Sequence, residues 1–158
     1  RGAGLRAPSP RPGRTGLRVQ SDGSRKGSAM YELTDDQFEQ IVEEALDAMP
    51  ERFIEALENV VVTVADEPDA RQLRSLGDDA AESRGSELLG LYEGTPATER
   101  GTWYGDGEAP DVITIFKGPH ERCFSTYASI SEQIRKTVVH EVGHYFGNDE
   151  AMLRAMGY

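Results

Sequence analysis

The stretch Val138-Val139-His140-Glu141-Val142-Gly143-His144-Tyr145-Phe146-Gly147-Asn148-Asp149-Glu150 decides how the rest of this 158-residue chain is read. It carries the pattern H-E-x-x-H on His140, Glu141 and His144, preceded by Ile130, Ile134, Thr137 and Val138 at helical spacing. Residues four apart on a helix stand one turn above each other on one face. Two imidazoles so placed can grip one ion without distorting the backbone. Glu141 projects about 100° around the helix from His140, so its carboxylate can reach a water on that ion without ligating the ion itself. Zinc suits the pair, because two His nitrogens and one further ligand leave a fourth position open for water. The pKa of such a water falls to around 7. With only three His in the chain, an accidental H-E-x-x-H is expected in about one chain in a hundred or fewer.

The third ligand follows from Gly147. A helix continued ten residues beyond His140 would carry its side chain about 15 Å along the axis, too far to share an ion. A Gly three residues after the second His can take φ > 0, end the helix and return the chain beneath the metal. Asp149 and Glu150 are the next acids, and Glu150 fits the extended motif with its third ligand at offset ten. Asp149 then reads as the cap of a last short helix over 150–156.

Outward from this stretch, Ser129 with Glu132 reads as a capping box that opens the motif helix, which runs to about Phe146. Thr34 with Gln37 reads as another, before an amphipathic helix over about 35–48. Pro50 suits the first turn of a short helix with Phe53, Ile54 and Leu57 on its apolar side. Strands are predicted at Val60–Val64, Leu88–Tyr92 and Val112–Phe116, the last ended by Gly118-Pro119. Residues 66–86 hold acids and breakers without a period and read as a surface loop. The order ααβββαα predicts a compact α+β domain: a small mixed sheet on the motif helix, with two helices ahead of it.

Charge divides the chain. Residues 1–29 hold seven basic groups and one acid, net +6, whereas residues 30–158 hold ten basic and 27 acidic groups, net −17. Gly, Pro and Ser fill 13 of the first 29 positions and only six are apolar, too few to offset the entropy of ordering. Residues 1–29 are therefore expected to be a disordered basic extension and 30–158 the domain. The extension has no apolar h-region of a secretory signal, and the expected location is cytoplasmic. No run approaches the roughly 18 apolar residues of a membrane span. One cysteine, Cys123, rules out an intrachain disulfide framework, a Cys-rich zinc ribbon and an iron–sulfur site.

The residues now quoted resemble the small bacterial zincin-like metallopeptidases, or minimal zincins. The likeness spans about 32–158. It includes Leu88-Leu89-Gly90-Leu91-Tyr92-Glu93-Gly94-Thr95-Pro96 and Pro110-Asp111-Val112-Ile113-Thr114-Ile115-Phe116-Lys117-Gly118-Pro119 as well as the helix from Val138 to Gly147. It implies a compact zincin core with zinc on His140, His144 and an acid. The family commonly shows Asp at offset ten, where this chain has Glu150, one methylene longer.

The expected activity is zinc-dependent hydrolysis of a peptide bond in a peptide or protein substrate, with Glu141 as general base and then proton donor to the leaving nitrogen. The resemblance implies that an extended substrate pairs with an exposed sheet edge beside the metal, for which strand 112–116 is the candidate. Tyr127, Tyr145 and His120 are candidate oxyanion helpers, none of them assigned. Tyr145 also reads as a packing residue, His120 as a solvated loop residue and Cys123 as a small core residue. Gly101–Gly107 lacks the Gly-Lys-Ser/Thr end of a phosphate cradle, and its Trp103 and Tyr104 could shade the cleft. Asp106, Glu108 and Asp111 read as a solvated turn rather than a calcium loop.

Two other classes share the spacing. The bacterial rRNA-maturation endoribonucleases place ligands at offsets zero, four and ten, but with His at ten and no Glu beside the first His. A domain of −17 also repels phosphate, so nucleic acid is not the expected partner, although the +6 arm could compensate. A zinc-stabilised binding module, with loop 66–86 facing an unknown protein partner, would need a fourth protein ligand, and the sequence offers no obvious one.

Overall fold

The computed structural model describes residues 13–20, 31–75, 86–101, 107 and 109–158. In chain order the elements are β1 (Gly13–Thr15), β2 (Arg18–Gln20), α1 (Asp35–Asp47), α2 (Glu51–Glu55), β3 (Val60–Ala65), α3 (Ala70–Ser75), β4 (Ser86–Leu88), β5 (Gly90–Gly94), β6 (Asp111–Phe116), α4 (Lys117–Cys123), α5 (Tyr127–Tyr145) and α6 (Glu150–Ala155). The result is the predicted α+β domain with a small mixed sheet.

The main sheet has the order β1-β5-β6-β3. β3 runs parallel to β6, from Val60 opposite Asp111 to Ala65 opposite Phe116. β5 runs antiparallel to β6, with Gly90 opposite Ile115. The β-branched run that predicted β3 thus lies beside the buried β6. Helix α1 starts at the predicted box, where Thr34 Oγ1 accepts from Gln37 N and Gln37 Oε1 accepts from Thr34 N. Its Phe38, Ile41, Val42 and Ala45 are buried. They join Ile130, Ile134, Val138 and Val142 of α5 and Ile113 and Ile115 of β6 in one core. Each of the larger apolar side chains contributes about 1.5–3 kcal/mol by leaving water. That core clamps α5 between α1 and the sheet, which fixes the height and rotation of the motif helix.

Several local expectations change. Residues 13–20, inside the predicted disordered extension, form two strands; the rest of 1–29 lies outside the described residues. β1 pairs antiparallel with β5 and β2 with β4, so backbone ladder bonds replace the apolar burial that this stretch lacks. The predicted strand Leu88–Tyr92 divides into β4 and β5 at Leu89. Within loop 66–86, Asp69 Oδ1 accepts from Gln72 N and Gln72 Oε1 from Asp69 N, starting α3; residues 76–85 lie outside the described residues. Gly118-Pro119 does not close β6 with a loop. Helix α4 begins there at once, with Pro119 in its first turn, where no intrahelical donor is needed. The cap of α5 is Thr126, and Ser129 is its reciprocal partner rather than the cap. Phe53 and Ile54 of α2 remain exposed.

Strand 112–116 is not an edge. β6 has β5 on one side and β3 on the other, so its backbone groups are already paired and no peptide can add to it. The antiparallel neighbour β5 lies one strand outward, where β1 covers it. Among the described residues, no helix is long and apolar enough to cross a membrane.

Candidate metal centre

The last turn of α5 is closed by a two-bond cap. Gly147 N donates to His144 O at 2.9 Å and Asn148 N donates to Gly143 O at 3.0 Å. Gly147 holds φ at +86°, a conformation that costs Gly little and other residues more. The chain therefore reverses where the sequence predicted. Asp149 then caps α6, its Oδ1 accepting from Met152 N at 2.8 Å. Gly143 lets α6 approach closely, since a Cβ there would lie 2.4 Å from Leu153 Cδ2.

This reversal carries Glu150 under the two imidazoles. Glu150 Oε1 lies 3.2 Å from His140 Nε2 and 3.0 Å from His144 Nε2. The two nitrogens are 3.0 Å apart. One ligand atom from each residue falls within 4.8 Å of the others. Asn148 O accepts from His144 Nδ1 at 3.0 Å, which leaves a lone pair on His144 Nε2. That nitrogen faces a carboxylate oxygen at hydrogen-bonding distance, so a proton or a cation belongs between them. Tetrahedral zinc with bonds of about 2.0–2.1 Å separates its ligands by about 3.3 Å, close to the triangle observed. The donor set of two nitrogens and one oxygen fits zinc in both size and chemistry.

Electrostatics agree with that geometry. The imidazoles of His140 and His144 hold the Glu150 carboxyl well below the usual carboxylate range, against the opposing effect of burial. Glu141 shifts the other way. Burial pushes its carboxyl well above the ordinary value and the charge of Glu150 adds to this, while the backbone N–H groups of Leu17 and Tyr92 oppose it. Its Oε1 accepts from Leu17 N at 2.9 Å, and its Oε2 meets no hydrogen-bonding group at normal geometry among the described residues. Two acids nine residues apart are thus poised differently, one as an anion among imidazoles and one as a carboxyl that readily keeps a proton.

The candidate helpers sit elsewhere. Tyr127 opens α5, thirteen residues before His140 and so about 20 Å along the helix; it is exposed beside Tyr31. Tyr145 is a packing residue, with its hydroxyl accepting from Glu58 N at 2.9 Å and from Arg100 Nη1 at 3.0 Å. His120 is fully buried rather than solvated, its Nδ1 2.6 Å from Phe116 O and its Nε2 3.0 Å from Thr137 Oγ1. Burial pushes it down to about 4, against the pull of the Phe116 carbonyl. The neutral ring therefore donates from Nδ1 and accepts the Thr137 hydroxyl at Nε2. Cys123 is half-buried. Asp111 is not part of a solvated turn: it is buried, bonded to Tyr92 Oη at 2.7 Å and paired with Arg100 at 2.5 Å. Trp103, Tyr104, Asp106 and Glu108 lie outside the described residues.

A family model of zincin-like metallopeptidases matches residues 57–158, most of the chain and all of the centre. The chain belongs to the zincin-like metallopeptidase family. No curated protein matches the chain. Membership makes zinc the implied metal of a site here. Two contributors escaped the sequence reading. Asn148 orients His144 through a backbone carbonyl, which leaves no trace in residue type. Gly90 left a signal: a Gly inside an apolar strand marks close approach. A Cβ there would lie 2.9 Å from both Cγ and Oε1 of Glu141.

Proposed function

We propose that this zincin-like chain is a zinc-dependent peptidase that hydrolyses peptide bonds with Glu141 as its general base. The observation that carries the reading is the convergence of His140 Nε2, His144 Nε2 and Glu150 Oε1 one residue from a fully buried Glu141. Zinc held by those three residues would supply Lewis acidity, polarising a carbonyl and lowering the pKa of water toward neutrality. Asn148 O fixes the tautomer and direction of His144, and the reversal at Gly147 holds Glu150 in place. Glu141 takes a proton at Oε2 from the attacking water as the water oxygen bonds to the carbonyl carbon, keeps it because its buried site favours the neutral acid, and delivers it to the leaving nitrogen as the C–N bond breaks. Gly90 gives Glu141 room beside β5, so a peptide backbone along that strand would run past the carboxylate.

The test is Glu141→Gln. The variant should keep stoichiometric zinc while its turnover of a quenched peptide library falls about 10²–10⁴-fold, the usual range for loss of a general base. Turnover equal to that of the parent chain removes Glu141 from the reaction.

A further inference from the structure

Residues 13–20 run antiparallel along strands β4 and β5, on the side where β5 would otherwise be the edge of the sheet. Their register has a break. Thr15 stands opposite Tyr92 and Arg18 opposite Leu88, so Gly16 and Leu17 face the three residues Leu89, Gly90 and Leu91. At this bulge Leu17 O still accepts from Leu89 N at 2.8 Å. Leu17 N leaves the ladder and donates to Glu141 Oε1 at 2.9 Å. Gly16 fits because it has no side chain: a Cβ would lie 2.5 Å from Gly90 O and 2.8 Å from Leu88 Cδ1. Sheet pairing alone does not call for a backbone amide on the carboxylate of a residue 124 positions later in the chain.

We propose that residues 13–20 are a tethered peptide ligand, filling the β4–β5 edge and engaging the Glu141 carboxylate that an extended substrate would use, so that the intact chain blocks its own site until the segment is displaced. This rests on the peptidase reading of the site. An unpaired strand edge offers the same N–H and C=O groups to any extended peptide, and only one can lie there. Among the described residues the ladder takes three residues in β1 and three in β2, a short pairing that can open. The segment is nonetheless attached, and a short tether gives an effective concentration of the order of mM. Free peptides at micromolar concentration therefore lose the competition unless the segment is loosened.

Two full-length, zinc-loaded variants separate the possibilities. Gly16→Val drives a side chain into Gly90 O, and Leu17→Pro removes the N–H given to Glu141; matched zinc content and circular dichroism identify a folded variant. The probe is a fluorescent extended peptide ending in a hydroxamate, a zinc-directed group. Each variant should bind it at least about tenfold more tightly than the parent, and the Leu17 amide of the parent should be protected from hydrogen exchange until the probe is added. Equal probe affinity in all three chains overturns the proposal, as does a Leu17 amide that exchanges at the unprotected rate in the parent. Tighter binding without cleavage of any peptide would sink the peptidase reading and leave the tethered ligand standing. Unchanged binding with peptide cleavage equal to the parent's would do the reverse.

Discussion

At Tyr145 the end of α5 enters a polar network in which donors meet acceptors; at His144, one residue earlier, it enters a cluster in which lone pairs face each other. In the first, Arg100 Nη2 and Tyr92 Oη both bond Asp111 Oδ2, Arg100 Nε donates to Thr95 O at 2.9 Å, and Tyr145 Oη joins Arg100 to the backbone of Glu58. In the second, His144 Nε2 and Glu150 Oε1 stand 3.0 Å apart, and among the described residues His140 Nδ1 and Glu141 Oε2 meet no hydrogen-bonding group at normal geometry. The first joins β5, β6, the loop after β5 and the end of α5, whereas the second joins α5 to the start of α6. The difference separates two roles: a network of matched donors and acceptors holds the fold together, whereas the cluster is the place we propose for a positive centre.

The largest effect that would break this comparison lies in the complete network. Asp111→Ala removes the carboxylate paired with the buried Arg100 guanidinium and should cost about 3–5 kcal/mol in urea unfolding, while His144→Ala in the metal-free chain should cost distinctly less. Similar losses for the two would remove the contrast.

Next is pH. His120 is held neutral, pushed down to about 4 from 6.5, so between those values the unfolded chain binds a proton that the folded chain does not. Stability is thus full above pH about 6.5 and falls as pH drops toward 4, by about 3 kcal/mol for this group. His120→Gln should flatten that part of the profile, and an unchanged slope would show that the ring is not held neutral.

A third variant pair sharpens the metal side. Glu150→Ala should weaken zinc binding more than about 100-fold, beyond the range typical of losing an outer partner of a ligand. Asp149→Ala should leave zinc affinity nearly unchanged and cost only its cap, about 1 kcal/mol by thermal unfolding. The opposite ranking in zinc affinity would move the third ligand to Asp149.

The parts of the molecule legible in the sequence are those written in local spacing. Phe38, Ile41, Val42 and Ala45 announce α1, Val60–Val64 announces β3, and Gly147 announces the reversal beyond the motif helix because only a few residue types suit φ of +86°. Features set by distant partners were hidden. Asp111 looks like a turn acid until Arg100 and Tyr92 surround it. His120 looks solvated until α5 brings Thr137 over its ring. Residues 13–20 have little apolar content and find structure only on the β4–β5 edge far along the chain, and strand 112–116, predicted as the edge, lies inside the sheet because β3 and β5 flank it. The sequence near Ser129 misled by one turn, since Thr126 supplies an equivalent hydroxyl three residues earlier.

The central claim is that His140, His144 and Glu150 together hold one zinc ion. Zinc content combined with X-ray absorption at the zinc edge, on the purified full-length chain, tests it most directly. The account predicts one zinc per chain with two imidazole nitrogens and oxygen ligands at about 2.0–2.2 Å and no sulfur. A folded chain that takes up no divalent ion, or a shell without two imidazoles, would contradict it.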